Sequence, residues 1–314
     1  MPLDRHAGRF LEMLAAAGET KGRYEDAGER RRALGNLALL VDPPGTTGTG
    51  GVQDRILPDS DMVLRIYSPV GSRETKLPGM VFFHGGGWVA GSLETHDGFC
   101  RRLANESGCR VVAVDYRLAP EHPFPQALED GLKAFRHVAG HPEAFGIDPA
   151  RLGIAGDSAG GTLAAAICHG LKAAEGAPVI AFQLLICPIL DVYGESAARL
   201  ALADGYFLDR DTLLRDLELY CPGADLSDPR LSPLRAADVS GLPPAFIHTG
   251  EFDPFGEEGE AYGARLARAG VPVRSRRHTG MIHFFYCMPR MIPYALEAVR
   301  IMGADIRSAM ERAI

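Results

Sequence analysis

The strongest chemical signal in the chain is Gly156-Asp157-Ser158-Ala159-Gly160-Gly161, a G-x-S-x-G turn. It stands between an apolar run, Leu152-Gly153-Ile154-Ala155, and an alanine-rich run from Ala159 to His169. A serine at such a strand-to-helix turn adopts strained backbone angles, and glycines two before and two after it let neighbouring chain pass close. It also lies at a helix N-terminus, where unpaired N–H groups and the helix dipole favour negative charge. The chemistry this suits is nucleophilic attack on an acyl carbon. Alone the motif is weak, because glycine-rich turns between a strand and a helix are also common as plain structure.

Acyl transfer further needs amide donors for the oxyanion of the tetrahedral intermediate. His84-Gly85-Gly86-Gly87-Trp88 follows the apolar run Met80-Val81-Phe82-Phe83 and exposes N–H groups that no side chain shields. The spacing predicts Gly85 and Gly86 as donors, with the amide of Ala159 as another. A phosphate-cradling loop would need a lysine after the glycines or G-x-G-x-x-G spacing, and neither is present. His84 could be read as a base, but the order serine, acid, histidine puts the base last. His84 is expected to orient the glycine loop by hydrogen bonding.

Beyond residue 253 stand His278 and His283. His278 ends a predicted strand. His283 sits in the loop Thr279-Gly280-Met281-Ile282-His283-Phe284-Phe285, from which a base can reach the nucleophile, and it is the expected base. Asp253 follows the predicted strand Ala245 to His248 and precedes Pro254, which favours an extended conformation. It is the expected acid, holding the histidine tautomer and stabilising the imidazolium. Glu251 is its rival. Trp88, Phe207 and Leu208 are expected around the pocket, though each could equally be simple packing.

Elements must carry these groups. Residues 3–39 look helical, with Gly18 and Gly22 as interruptions, and residues 42–51 look like a flexible connection. Strands are predicted at 63–67, 80–83, 111–114, 152–156, 179–187, 245–248 and 271–277. Helices are predicted at 126–139, 158–173, 257–269 and 291–312, and the segment 196–222 reads as amphipathic helix. Strands alternating with helices imply a mostly parallel sheet covered on both faces. The helical pieces 1–45 and 192–230 fit neither role. They are read as one cap over the carboxyl ends of the strands, where such sheets bind ligands. Residues 46–191 and 231–314 then form the core.

The composition supports this outline. The chain has 314 residues, 46% of them hydrophobic, which allows a sizeable core. A net charge of −7 argues against nucleic acid as a partner. The clusters Arg30-Arg31-Arg32 and Arg274 to Arg277 read as solvated faces. Six scattered cysteines form no C-x-x-C pair and no metal-ligand spacing, so buried free thiols in a reducing cytoplasm are expected, with no metal and no cofactor. Phe10 to Ala17 does not read as a signal peptide, and no apolar stretch predicts a transmembrane helix. Asn105-Glu106-Ser107 matches a glycosylation acceptor and is taken as chance.

Several of these motifs, in this order, resemble the bacterial hormone-sensitive-lipase-like esterases, a branch of the α/β-hydrolases. The resemblance covers nearly the whole chain. It runs through His84 to Trp88, Asp115-Tyr116-Arg117-Leu118-Ala119-Pro120-Glu121, Gly156 to Gly161, Asp253 to Gly259 and Gly280-Met281-Ile282-His283. It implies an α/β-hydrolase fold with a mostly parallel eight-stranded sheet and a helical cap. It also implies hydrolysis of short- to medium-chain acyl esters without a cofactor, frequent homodimers, and Ser158, Asp253 and His283 as triad. Asp157 and Glu121 resemble groups that support the site from behind. One departure is visible: after Asp253-Pro254 the family usually has leucine then arginine, and here stand Phe255 and Gly256. Two other readings fit the same fold. A non-catalytic small-molecule receptor would be expected to lack the base, yet His283 is present. A peptidase or amidase often carries a larger insertion than this chain has room for.

Overall fold

A computed structural model describes residues 2–17, 24, 26–72, 74, 76–172 and 174–311. Gly18 and Gly22 lie outside the described residues. The centre is an eight-stranded sheet built from β1 (Gly51–Ile56), β2 (Val63–Ser68), β3 (Leu77–Phe83), β4 (Arg110–Val114), β5 (Ile147–Asp157), β6 (Gln183–Ile186), β7 (Ala245–Phe252) and β8 (Val273–Ile282). The strand order is β1-β2-β4-β3-β5-β6-β7-β8. β2 runs antiparallel to β1 and β4, and the strands from β4 to β8 are parallel to one another. Helices α1 (Arg5–Ala16), α2 (Ala27–Val41), α3 (Asp97–Ser107), α4 (Gln126–Gly140), α5 (Pro142–Phe145), α6 (Ala159–Lys172), α7 (Ala197–Ala201), α8 (Arg210–Tyr220), α9 (Gly256–Arg268) and α10 (Tyr294–Glu311) surround it.

The near-continuous apolar strands are buried on both faces, as a parallel sheet between helices requires. On β3, Val81 and Phe83 pack with Phe135, Leu163 and Ile167 on one side. Met80 and Phe82 alternate to the other and pack with Phe99, Leu103 and Val299. Two elements escape the apolar pattern. β1 is an edge strand whose residues are mostly exposed, so no alternation marks it. α3 carries glycine, asparagine and serine, poor helix formers, yet it is the crossover that lets β3 and β4 run parallel.

Residues 196–222 form two helices rather than one. Ser196 accepts from the Arg199 amide at the start of α7, and Asp209 accepts from the Thr212 amide at the start of α8. The N-terminal helices meet this segment and the loops beyond the carboxyl ends of the strands. Phe10 lies 6.0 Å from Phe207, which stacks on Phe284 at 5.9 Å. Arg31 on α2 donates to the carbonyls of Val89 and Ala119 and to both carboxylate oxygens of Glu121.

Candidate active site

Register alone brings the chemistry together. Phe83 pairs with Gly156, Asp157 with Ile186, and Phe252 with Ile282. His84, Ser158, Asp253 and His283 are therefore the first residues beyond the carboxyl ends of β3, β5, β7 and β8. Ser158 has φ +51, the strained value expected of a side chain turned out of a tight strand-to-helix bend. The flanking glycines are obligatory: a Cβ on Gly156 would stand 2.1 Å from the Gly160 carbonyl oxygen, and one on Gly160 would stand 2.0 Å from that of Phe83.

His283 Nε2 lies 3.0 Å from Ser158 Oγ, and His283 Nδ1 lies 3.0 Å from Asp253 Oδ2. An ionised carboxylate only accepts, so Nδ1 donates to Asp253 and Nε2 is left to accept from the serine hydroxyl. The other Asp253 oxygen accepts from the Phe255 amide at 2.9 Å. Phe255, in the place where leucine is usual, presents its ring edge-on to His283 at 5.4 Å. All three polar residues are buried. The rivals lie elsewhere: Glu251 accepts the Gly280 amide, and His278 bonds to His248 and Tyr294.

The glycine loop needs a correction. The amide of Gly85 is not available to an oxyanion, because it donates to Asp157 Oδ1 at 2.9 Å. Gly86 and Gly87 border the same cavity as Ser158. Their amides, like that of Ala159, have no partner among the described residues. Gly86 and Gly87 have φ of +125 and +65, so no other residue type fits there without strain.

Asp157 is the brace of this loop. It is fully buried, and besides the Gly85 amide it takes the Tyr286 hydroxyl at 2.8 Å and faces His96 Nε2 at 3.2 Å. Burial alone would raise its carboxyl, but His96, Tyr286 and His84 together hold it below the usual carboxylate value. His84 contacts the Gly85 carbonyl through Nδ1 at 2.9 Å and stacks between Tyr116 and His96. Burial, then the neighbouring His96, push His84 down to about 4, so it sits neutral in the loop. His96 and Tyr286 escaped sequence reasoning. The only signal for Tyr286 was its place three residues after His283.

Two further expectations change. Glu121 is exposed and touches none of Ser158, Asp253 and His283; its ion pair with Arg31 at 2.6 Å clips α2 to the loop after β4. Trp88 is fully buried, stacks on Tyr220 at 4.6 Å and stays out of the cavity wall. Phe207 and Leu208 do line the cavity, which has a volume of about 310 Å³. All six cysteines are buried and unpaired. Cys187 Sγ, an oxygen of Asp253 and a nitrogen of His283 lie within 4.8 Å of one another. Those three atoms could in principle meet a metal. The imidazole nitrogens are already engaged by Ser158 and Asp253, however, and burial, reinforced by Asp253, keeps the thiol protonated.

Fold and site together define an α/β-hydrolase. A family described by the alpha/beta hydrolase fold matches residues 80–287, and the chain belongs to that family. Within it the chain falls among the hormone-sensitive-lipase-like esterases. It is 40% identical over 285 residues to carboxylesterase NlhH of Mycobacterium tuberculosis, covering 88% of this chain and 89% of the relative. It is 36% identical over 300 residues to an arylesterase of Saccharolobus solfataricus, covering 92% and 94%. An ester hydrolase from the Lake Arreo metagenome, solved with a bipyridine phosphonate derivative, superposes with a TM-score of 0.92 at 40% identity over 98% of this chain and 99% of that one.

Proposed function

We propose that the chain is a serine carboxylesterase acting on short- to medium-chain acyl esters through Ser158, His283 and Asp253. The observation that carries this reading is the continuous chain from Ser158 Oγ through the His283 ring to Asp253, ending at a cavity edged by bare amides. His283 takes the Ser158 proton as the oxygen attacks the ester carbonyl. The amides of Gly86, Gly87 and Ala159 hold the oxyanion. His283 then protonates the leaving alcohol, and a water repeats the sequence on the acyl-enzyme. Asp253 keeps the imidazole in the right tautomer and stabilises its charged form. A cavity of about 310 Å³ is at the small end for ligand sites, which supports short and medium acyl groups over long ones.

Residues 1–45 and 192–230 act in this reading as one helical cap over a core of 46–191 and 231–314. The contacts from Phe10 to Phe207 and from Arg31 to the core support it. Homodimerisation is part of the same reading, supported by the family resemblance and by β8, an edge strand with several exposed residues. Six unpaired buried thiols support a cytoplasmic site of action. Among the described residues no helix is long and apolar enough to cross a membrane.

The test is turnover of nitrophenyl esters from acetate to dodecanoate, beside matched anilides. The reading expects rates that peak at short or medium chains, with anilides far slower. Anilides cleaved faster than their esters would turn the reading toward an amidase.

A further inference from the structure

The cavity over Ser158 has a wall that is part apolar and part polar, and some of it is charged. Arg30 on α2 and Asp216 on α8 both line it. They pair at 3.4 Å through Arg30 Nη2 and Asp216 Oδ2, with side chains 13% and 6% exposed. The pair stands beside the glycine loop, for a Cβ on Gly87 would lie 2.0 Å from Asp216 Oδ2. The wall thus runs from Ser158 past Gly87 to Asp216 and then Arg30.

Arg30 is under-used as a donor. A guanidinium carries five N–H groups, and good charge-assisted bonds to carboxylate are about 2.7–2.9 Å long. The bond to Asp216 is longer than that, and the buried Arg30 Nε has no hydrogen-bond partner among the described residues. Arg30 lines the cavity, and its contact with Asp216 is long, so its guanidinium keeps N–H capacity for an acceptor there. The surrounding charge decides which acceptor. Glu29, Asp209 and Asp216 line the same cavity, so a further carboxylate would enter a site that already holds three acidic side chains. Burial pushes the Asp216 carboxyl up to about 6 despite Arg30, a sign of how poorly that site solvates anions.

We propose that Arg30, held by Asp216, is a specificity-determining residue that selects esters carrying an uncharged oxygen acceptor, a keto or ether group, on the arm directed into the cap. The proposal rests on the esterase reading above and narrows its substrate class. An Nη N–H of Arg30 donates to that oxygen, and the apolar part of the wall packs the rest of the arm.

The experiment compares kcat/KM within matched pairs of esters. On the acyl side the pairs are nitrophenyl 4-oxopentanoate with pentanoate, and 5-oxohexanoate with hexanoate. On the alcohol side the pair is 2-methoxyethyl with butyl butyrate. The proposal expects the oxygen-bearing member of at least one pair to be favoured roughly tenfold or more in the unaltered enzyme. In Arg30→Met that ratio should fall to near one, and Arg30→Lys should keep part of it. Each ratio is internal to one preparation, so partial misfolding of a variant does not distort it. No preference in the unaltered enzyme, or a preference that survives Arg30→Met, overturns the proposal and leaves the esterase reading standing. Absence of turnover of every ester removes both.

Discussion

Asp157 offers the sharpest perturbation, because it holds the glycine loop without touching the reacting atoms. Asp157→Asn keeps size and shape. Its carbonyl oxygen can still accept from the Gly85 amide, now without charge. Its amide nitrogen faces the Tyr286 hydroxyl and His96, two groups that sit 2.8 and 3.2 Å from a carboxylate oxygen in the parent. Hydrogen bonds to a charged group are worth about 1.5–3 kcal/mol each, and the tyrosine hydroxyl can turn to recover part of one. The expected destabilisation is about 2–4 kcal/mol, read from the urea midpoint. The catalytic effect follows from the loop. Losing one oxyanion donor outright costs about 10²–10³ in rate, and amides displaced at Gly86 and Gly87 should forfeit part of that. We expect kcat to fall roughly 10- to 100-fold with KM changed little, since the donors act on the transition state rather than the bound ester. Nitrophenyl butyrate turnover at saturating substrate reads this directly. A folded Asp157→Asn enzyme with kcat within twofold of the parent would refute the bracing role.

Two other consequences follow from the same geometry. Gly87→Ala places a methyl 2.0 Å from Asp216 Oδ2 at a φ of +65, so kcat should drop by at least about 10²; an undiminished kcat would remove Gly87 from the oxyanion donors. His248 and His278 are buried against each other; burial, then His278 and the nearby Arg276 and Arg274, push His248 down to about 3, and burial, then Arg276, pushes His278 down to about 4, in both cases despite Asp305. Their neutral forms belong to the fold, so their contribution is complete above about pH 6.5 and is lost as pH falls through the folded values. The slope is up to about 1.4 kcal/mol per pH unit for each. Urea midpoints measured between pH 7 and 4 should fall accordingly, and less steeply in His278→Gln; an unchanged slope would contradict this.

Much of the site was legible because its residues obey local rules. Ser158 sits where a G-x-S-x-G turn joins a strand to a helix, and both flanking glycines are sterically forced. Asp253 and His283 were legible from chain order, and register then explains why they meet. The donor assignment at Gly85 failed because sequence cannot show that a buried carboxylate 72 residues away takes that amide. Glu121 failed for a similar reason, since its partner Arg31 lies on a helix 90 residues earlier. Trp88 was misplaced because burial against Tyr220 and exposure to a pocket look alike in a linear string. β1 was missed because an exposed edge strand carries no apolar alternation, and α3 because its composition opposes its conformation.

The central claim is that Ser158 is a nucleophile activated by His283. Its most direct measurement is stoichiometric labelling with a nitrophenyl alkylphosphonate, read by mass spectrometry of the modified peptide alongside residual esterase activity. The account predicts one phosphonyl group per chain on Ser158, with activity lost in parallel, no label in Ser158→Ala, and strongly slowed labelling in His283→Ala. Label on any other residue, or full inhibition with Ser158 unmodified, would contradict it.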